Sequence, residues 1–145
     1  MSYKTIFTAL SQDALAKPML DHAGAMAQSN DAHLEALCLG VDRSLTGYYY
    51  AGANAMILQE TINRAQAEVK EIDTFASTRM KQTDARWACD TAVAALADLG
   101  RHVAAPARFA DLVVLAQPYG ADQGPEVEAV VEAALFEGRA PVLVT

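Results

Sequence analysis

The sequence has few basic residues. Its 145 residues include 11 Lys and Arg against 18 Asp and Glu, which gives a formal net charge of -7 and an isoelectric point near 4.8. The basic residues are scattered along the chain and form no cluster. Proteins that bind nucleic-acid backbones or anionic membranes need a basic face. The composition therefore predicts that neither nucleic acid nor a membrane surface is a partner.

Long apolar runs are also missing. No stretch approaches the roughly 18 consecutive apolar residues that a membrane-spanning helix needs. The N-terminal residues, Met1 to Lys4, lead into a short apolar run without the architecture of a signal peptide. We expect a cytoplasmic protein. With 52% apolar residues, the chain can build one full hydrophobic core, so residues 1–145 are interpreted as one domain.

Only two cysteines are present, Cys38 and Cys89, and each lies within a predicted strand. Buried free thiols are the usual state of such residues in a reducing compartment. A redox pair is the alternative interpretation. It lacks support, because the sequence has no C-x-x-C spacing and no neighbouring basic residue that would lower a thiol pKa.

Patterns of known catalytic and metal sites are absent from the sequence as well. There is no Gly-x-Ser-x-Gly elbow, and no cysteine has an evident histidine partner. The three histidines, His22, His33 and His102, fall in different predicted elements and have no metal-ligand spacing. We expect no metal site and no enzymatic activity.

The most informative stretch is the last third of the chain. An apolar run at residues 110–116 is followed by a Gly- and Pro-containing loop, an amphipathic segment, Gly138 and a second apolar run. This order is typical of a β-loop-α-β unit with two parallel strands that are buried on both faces. The loop after a strand and the start of the next helix form the usual ligand crevice of such units. Residues 117–128 are therefore where we expect a ligand site.

The rest of the chain alternates between strands and helices in the same way. The predicted strands are Tyr3–Leu10, His33–Val41, Asp84–Thr91, Leu112–Ala116 and Val142–Thr145. The predicted helices run from the Ser11-Gln12-Asp13 turn to Ser29, from Asn54 to about Lys81, from Thr91 to Arg108 and from Pro125 to Phe136. Because Pro18 fits only near a first turn, it favours a start of the first helix later than Asp13. The pattern predicts an α/β fold with a five-stranded, mostly parallel sheet and helices on both faces.

The connection from Asp42 to Asn54 is long and contains Tyr48, Tyr49 and Tyr50. Because this connection follows the second strand, its side chains should lie at the carboxyl-end edge of the sheet, the same edge as the loop after the fourth strand that contains Gly120. Aromatic faces at this rim would stack on a base or pack against a partner subunit. A tyrosine-rich loop that only covers its own sheet edge is an equally good interpretation.

Three segments resemble the universal stress protein A family: Tyr3-Lys4-Thr5-Ile6, Ala110-Asp111-Leu112-Val113-Val114-Leu115 and Ala140-Pro141-Val142-Leu143-Val144. The order of these segments along the sequence and the distances between them extend the resemblance over the whole chain. The resemblance implies a three-layer α/β/α fold of the adenine-nucleotide alpha hydrolase-like type, with strand order 3-2-1-4-5. It also implies a role in stress survival and a homodimer paired through Val142, Leu143 and Val144. Many family members are tandem, so a single-domain subunit and one half of a tandem protein both remain open.

One branch of this family binds ATP through an Asp at the end of the first strand and a motif of Gly, two residues, Gly, nine residues, then Gly and Ser or Thr. This sequence departs from each part. Ser11 stands in place of the Asp, with Asp13 two residues later, and Gly120 and Gly124 are separated by three residues. Counting back from Ala140-Pro141 places Glu128 and Ala129 where Gly and Ser would stand.

A carboxylate at the phosphate position repels the ligand. At about 4 Å and an effective dielectric constant of about 20, the repulsion between two unit charges is about 4 kcal/mol before screening. We therefore predict a degenerate site at Ser11, Asp13, Gly120, Gly124 and Glu128, and no bound cofactor. Glu126 and Glu128 also suit the first turn of a helix that starts at Pro125. The alternative is a sensor or slow ATPase that binds ATP or AMP through Asp13, the Gly120 to Gly124 loop and the tyrosines.

Overall fold

The computed structural model describes residues 2–43, 55–121 and 123–145, with Ala55 described by its backbone alone. The strands are β1 (Thr5–Leu10), β2 (His33–Asp42), β3 (Arg86–Ala95), β4 (Leu112–Leu115) and β5 (Val142–Val144). The helices are α1 (Asp13–Asn30), α2 (Ala55–Met80), α3 (Leu99–Ala107) and α4 (Pro125–Glu132). A 3₁₀ turn, Leu96–Asp98, precedes α3, and a π-helical segment, Ala133–Glu137, follows α4.

The five strands form one parallel sheet in the order β3-β2-β1-β4-β5. One face packs on α1 and α2, with Ile6, Leu34 and Val114 in its core. The other face packs on α3, α4 and the π-helical segment, around Phe7, Leu39 and Val113. The predicted three-layer architecture and strand order 3-2-1-4-5 are thus confirmed. The order reverses between β1 and β4, which is where open α/β sheets form their ligand crevice.

A single aspartate ties the two central strands together at their amino ends. Oδ2 of Asp111 accepts hydrogen bonds from the backbone N–H groups of Lys4, at 2.7 Å, and Thr5, at 2.9 Å. Deeper in the sheet, the buried hydroxyl of Thr8 donates to the carbonyl of Val114 at 2.8 Å. These bonds fix the register of β1 against β4, and hence the position of the loops that follow both strands.

The third strand differs from the prediction. Thr91–Ala95 was expected to begin a helix because the segment is rich in alanine, but it extends β3 instead. The reason is the ladder to β2, in which residues 91–95 pair with Cys38 to Asp42. Tertiary pairing overrides the helical propensity of alanine here. The helix then starts at Leu99 and includes Gly100.

The start of α1 agrees with the predicted Ser11-Gln12-Asp13 turn, but the later start that Pro18 favoured is wrong. The helix begins at Asp13 and contains Pro18. Pro18 is exposed and removes one backbone hydrogen bond near the helix start. Burial of Ala16, Met19 and Leu20 on the opposite side of this turn keeps it helical.

Candidate functional site

The candidate site lies at the carboxyl ends of β1, β2 and β4. Gln12 follows β1 and is the N-cap residue of α1. Arg43 follows β2 directly, and Gly124 is the N-cap residue of α4. Because parallel strands end at the same edge of a sheet, these residues of distant sequence position meet at one rim.

Glu126, the second residue of α4, is the centre of this rim. Its side chain is only 2% exposed. Its Oε1 accepts a hydrogen bond from Nε2 of Gln12 at 3.0 Å and forms an ion pair with Nη2 of Arg43 at 2.9 Å. The carboxylate also folds back over Gly124, where an added Cβ would collide with Oε2. Glu126 therefore links the loops after β1 and β2 to the amino end of α4.

The charge state of Glu126 follows from these contacts. Burial alone would raise its pKa. The hydrogen bonds from Gln12, from its own backbone N–H and from Arg43, together with the charge of Arg43, outweigh burial and lower the pKa below 4.5. Glu126 is therefore an anion at neutral pH. It lies at the N-terminus of α4, where unpaired N–H groups and the helix dipole favour negative charge.

The second oxygen of this carboxylate, Oε2, takes no part in the contacts with Gln12 and Arg43. Oε2 of Glu126 is buried and has no hydrogen-bond partner among the residues that the structure describes. Oε1 of Gln123, in the preceding loop, is a second buried acceptor in the same state. The side chain of Gln123 lies over Gly120, whose added Cβ would be 3.3 Å from Cδ of Gln123. The two glycines of the loop thus leave the space that these two side chains occupy.

Little room exists beneath the rim. The space between β1, β4, α1 and α4, lined by Ser11 among others, amounts to about 10 Å³. That is enough for about one water molecule at most. On its other side, Arg43 lines an open groove of about 280 Å³ against the first turns of α2, together with Val41 and Ile57. A ligand of this rim would therefore lie at its mouth, beside Arg43.

The residues singled out from the sequence lie at different distances from this centre. Ser11 is half-buried directly after β1, and Gly124 contacts Glu126. Asp13, Gly120 and Glu128 are exposed. Tyr48 and Tyr49 lie outside the described residues. Their assignment to a nucleotide site stays a prediction.

Sequence reasoning missed Gln12 and Arg43, and it gave Glu126 only a role at the helix terminus. The available signal was positional: Gln12 and Arg43 each stand two residues after a predicted strand, and Glu126 stands in the first turn of a predicted helix. Within the described ranges, no group of three or more His, Cys, Asp or Glu could hold a metal ion. The helices of those ranges include none that is long and apolar enough to cross a membrane.

No protein-family model matches the sequence, and no curated protein sequence matches it. Solved structures do match the fold. The universal stress protein UspA from Lactobacillus plantarum is 21% identical, with a TM-score of 0.72 over 99% of this chain and 98% of that one. A universal stress protein family member from Burkholderia pseudomallei is 23% identical, with a TM-score of 0.66 over 99% and 96%.

A third matching structure was solved with a bound ligand. The universal stress protein from Archaeoglobus fulgidus in complex with dAMP is 15% identical, with a TM-score of 0.60 over 99% of this chain and 98% of that one. At these identities the matches establish only the fold. The function of the site has to be inferred from the residues of this chain. The chain has the fold of the universal stress proteins, as its sequence segments implied.

Proposed function

We propose that the protein is a non-catalytic stress-response module of the universal stress protein type, with a degenerate nucleotide site, which acts through dimerisation or partner binding. The observation that carries this proposal is the carboxylate of Glu126, buried at the N-terminus of α4. The helix terminus in such a crevice is where a phosphate group would be held by N–H groups and the helix dipole. In this chain the carboxylate of Glu126 already occupies that position at the N-terminus of α4.

An incoming phosphate would face that anion at close range. Repulsion between two unit charges at about 4 Å is about 4 kcal/mol at an effective dielectric constant of about 20, and about 8 kcal/mol is the whole binding free energy of a micromolar ligand. Moving Glu126 aside would break its contacts with Gln12 and Arg43. Glu128, the acid first expected to exclude phosphate, is exposed in the same first turn and adds further negative charge.

The proposed dimer uses the edge strand β5. Leu143 is 38% and Val144 is 42% exposed, and an apolar edge strand favours pairing with another strand. Next to this edge, an open groove of about 480 Å³ is lined by Ala25 and Met26 of α1 together with Leu143. A second copy of the chain, or a second tandem domain, would cover both features at once.

The test is a calorimetric titration of ATP with Mg²⁺ into the purified protein, with mass spectrometry of any small molecule that it carries. We expect no binding and no carried nucleotide. Micromolar binding, or ATP or AMP retained through purification, would contradict the proposal.

A second candidate is an adenine-nucleotide sensor or slow ATPase with a modified site. The structure of the same fold in complex with dAMP favours it, since it shows that this architecture can hold an adenine mononucleotide. In this chain the ligands would come from Asp13, the Gly120 to Gly124 loop and the tyrosines of the 44–54 segment. The candidate predicts that Glu128→Gly tightens ATP binding, and an unchanged affinity would count against it.

A further inference from the structure

The outer side of β3 is a second open edge of the sheet, opposite β5. Within the described ranges, β2 is the only strand that pairs with β3. An edge strand presents a row of backbone N–H and C=O groups with which another strand can pair. The side chains along this edge therefore decide which strand it accepts.

Only the amino half of β3 is open to a partner. Alternate side chains of a strand share a face, so Arg86, Ala88 and Asp90 lie on the same face as Ala94. Ala94 is 8% exposed and packs in the core under α3 and α4, whereas the other three residues are exposed. The second helical layer thus leaves this face of residues 86–90 uncovered.

The charges on this stretch are arranged symmetrically. Arg86 stands two residues before Ala88, and Asp90 stands two residues after it. When two copies pair antiparallel about a two-fold axis at Ala88, Arg86 of each copy lies opposite Asp90 of the other. Opposite charges attract across such a pair, whereas an axis at Arg86 or at Asp90 would bring like charges together. The charge pattern therefore selects a second copy of the chain in one register.

Charged side chains on an edge strand usually prevent pairing, because they repel an incoming strand. Here the two charges have opposite signs. Nη2 of Arg86 donates to the carbonyl of Asp31 at 2.8 Å and lies 3.7 Å from its carboxylate. In the described part of the chain, the carboxylate of Asp90 has no hydrogen-bond partner, and the other N–H groups of Arg86 have none either. Both groups can therefore form new ion pairs.

The opposite face of the same stretch is complementary as well. Trp87, the only tryptophan of the sequence, and Cys89 are both half-buried beside the core under α1 and α2. In the register centred on Ala88, Trp87 of one copy lies opposite Cys89 of the other. Pairing would remove apolar surface of the indole from water.

We propose that residues 86–90 pair antiparallel with the same segment of a second copy, centred on Ala88, so that two five-stranded sheets become one continuous sheet. This contact goes beyond the proposed β5 dimer and uses none of its residues. It is small, so its expected dissociation constant is on the order of 0.1 mM. At micromolar concentration the β5 dimer is the main species, and higher concentrations join dimers through β3 into larger assemblies.

The Leu143→Lys chain, in which β5 pairing is blocked, isolates the β3 contact. Sedimentation velocity should find monomers at about 10 μM protein and a growing fraction of dimers toward about 1 mM. In this chain Asp90→Arg should raise the dissociation constant at least about tenfold, because Arg then faces Arg, and Arg86→Asp should do the same through facing acids. Glu132→Arg, an exposed position on α4, is the control and should change nothing.

Mixing the two charge variants tests the register. In an equimolar mixture of the Arg86→Asp and Asp90→Arg chains, each arginine again faces an aspartate, so association should return to the level before either substitution. The axis itself is tested with Ala88→Cys in a chain that also carries Cys89→Ser. Oxidation by copper phenanthroline should link two copies through residue 88, because residues at a two-fold axis are close enough for a disulfide. Ala105→Cys, exposed on α3, should not be linked.

Three results would overturn the inference: a Leu143→Lys chain that stays monomeric at about 1 mM, a dimer that Asp90→Arg leaves intact, or a mixture that does not restore association. Circular dichroism spectra establish that each variant is folded. None of these results affects the phosphate-excluding module or the β5 dimer, which depend on other residues.

Discussion

Nη2 of Arg43 lies 2.9 Å from Oε1 of Glu126, although the two residues are 83 positions apart in the sequence. One partner follows β2 and the other opens α4, so the ion pair crosses the sheet edge above the point where the strand order reverses. The Arg43 side chain is 46% exposed, whereas that of Glu126 is 2% exposed. The pair therefore neutralises a buried anion from its solvent side.

Removing the charge of Glu126 should destabilise the fold. We expect Glu126→Gln to lower the free energy of unfolding by about 1 to 2 kcal/mol, because charge-assisted hydrogen bonds to Gln12 and Arg43 become neutral ones. Urea denaturation followed by circular dichroism measures this. The matched variant Glu132→Gln, at an exposed position of the same helix, should stay within about 0.5 kcal/mol of the unsubstituted chain. Equal effects of both variants would show that Glu126 has no special role.

The same carboxylate predicts a pH dependence. The pKa of Glu126 is lower in the folded chain than the ordinary value of 4.5, so its stabilising effect is complete above pH 4.5. The effect is lost as the pH falls through the lowered folded-state value. The stability difference between the chain and Glu126→Gln should thus be constant from about pH 8 to about pH 5 and shrink below that. A stability difference that disappears already near neutral pH would contradict a lowered pKa for Glu126.

The position of the Glu126 carboxylate over Gly124 can be tested with a double-mutant cycle. A Cβ at Gly124 would collide with the carboxylate, so Gly124→Ala should push the Glu126 side chain out of its place. In a chain that carries Glu126→Ala, the collision is absent and Gly124→Ala should cost less. A double-mutant cycle of unfolding free energies should give a coupling of at least about 0.5 kcal/mol. Additive effects would show that the two residues do not interact.

The β5 edge predicts the oligomeric state. Light scattering should find a dimer for the unsubstituted chain and a monomer for Leu143→Lys, because a charge on an apolar edge prevents strand pairing. Phe109→Lys is the control, since Phe109 is 83% exposed and precedes β4 rather than lying on β5. A monomer at high concentration for the unsubstituted chain would refute the dimer and favour a second domain that covers this edge.

The two cysteines should differ in reactivity in the native state. Cys38 is fully buried, and burial, reinforced by the nearby Cys89, Asp73 and Asp90, raises its pKa to about 12. Burial also raises the pKa of Cys89, which is only partly covered. Iodoacetamide followed by mass spectrometry should therefore modify Cys89 before Cys38. Prior modification of Cys38 would revive the redox-pair interpretation.

The fold was largely predictable because buried parallel strands leave strong patterns. The apolar runs of β4 and β5 predicted the ends of these strands to within one residue, and the predicted end of the second helix, at about Lys81, lies one residue beyond that of α2. The second half of β3 was not predictable in this way, since Ala92, Ala94 and Ala95 favour a helix until β2 pairs with them. Propensity is a local property, whereas that pairing joins residues more than 50 positions apart.

The site was predictable only in its location. The sequence placed it in the loop after β4 and at the start of α4, which is where Gly124 and Glu126 lie. It did not show that Glu126 turns inward while Glu128 stays exposed, because two acids in one helical turn look alike in sequence. Nor did it show that Gln12 and Arg43 would meet Glu126, since that depends on the strand order.

The bonds from Asp111 to Lys4 and Thr5 have a consequence for synthesis on the ribosome. β1 is made before β4, one of its two neighbours, which begins only at Leu112. Until β4 has been translated, β1 can pair with β2 alone and behaves as an open edge, although in the finished sheet it is central. A nascent chain of this protein therefore carries an unprotected apolar strand while the roughly 100 residues between β1 and β4 are added, a state that is prone to aggregation and suited to chaperone binding.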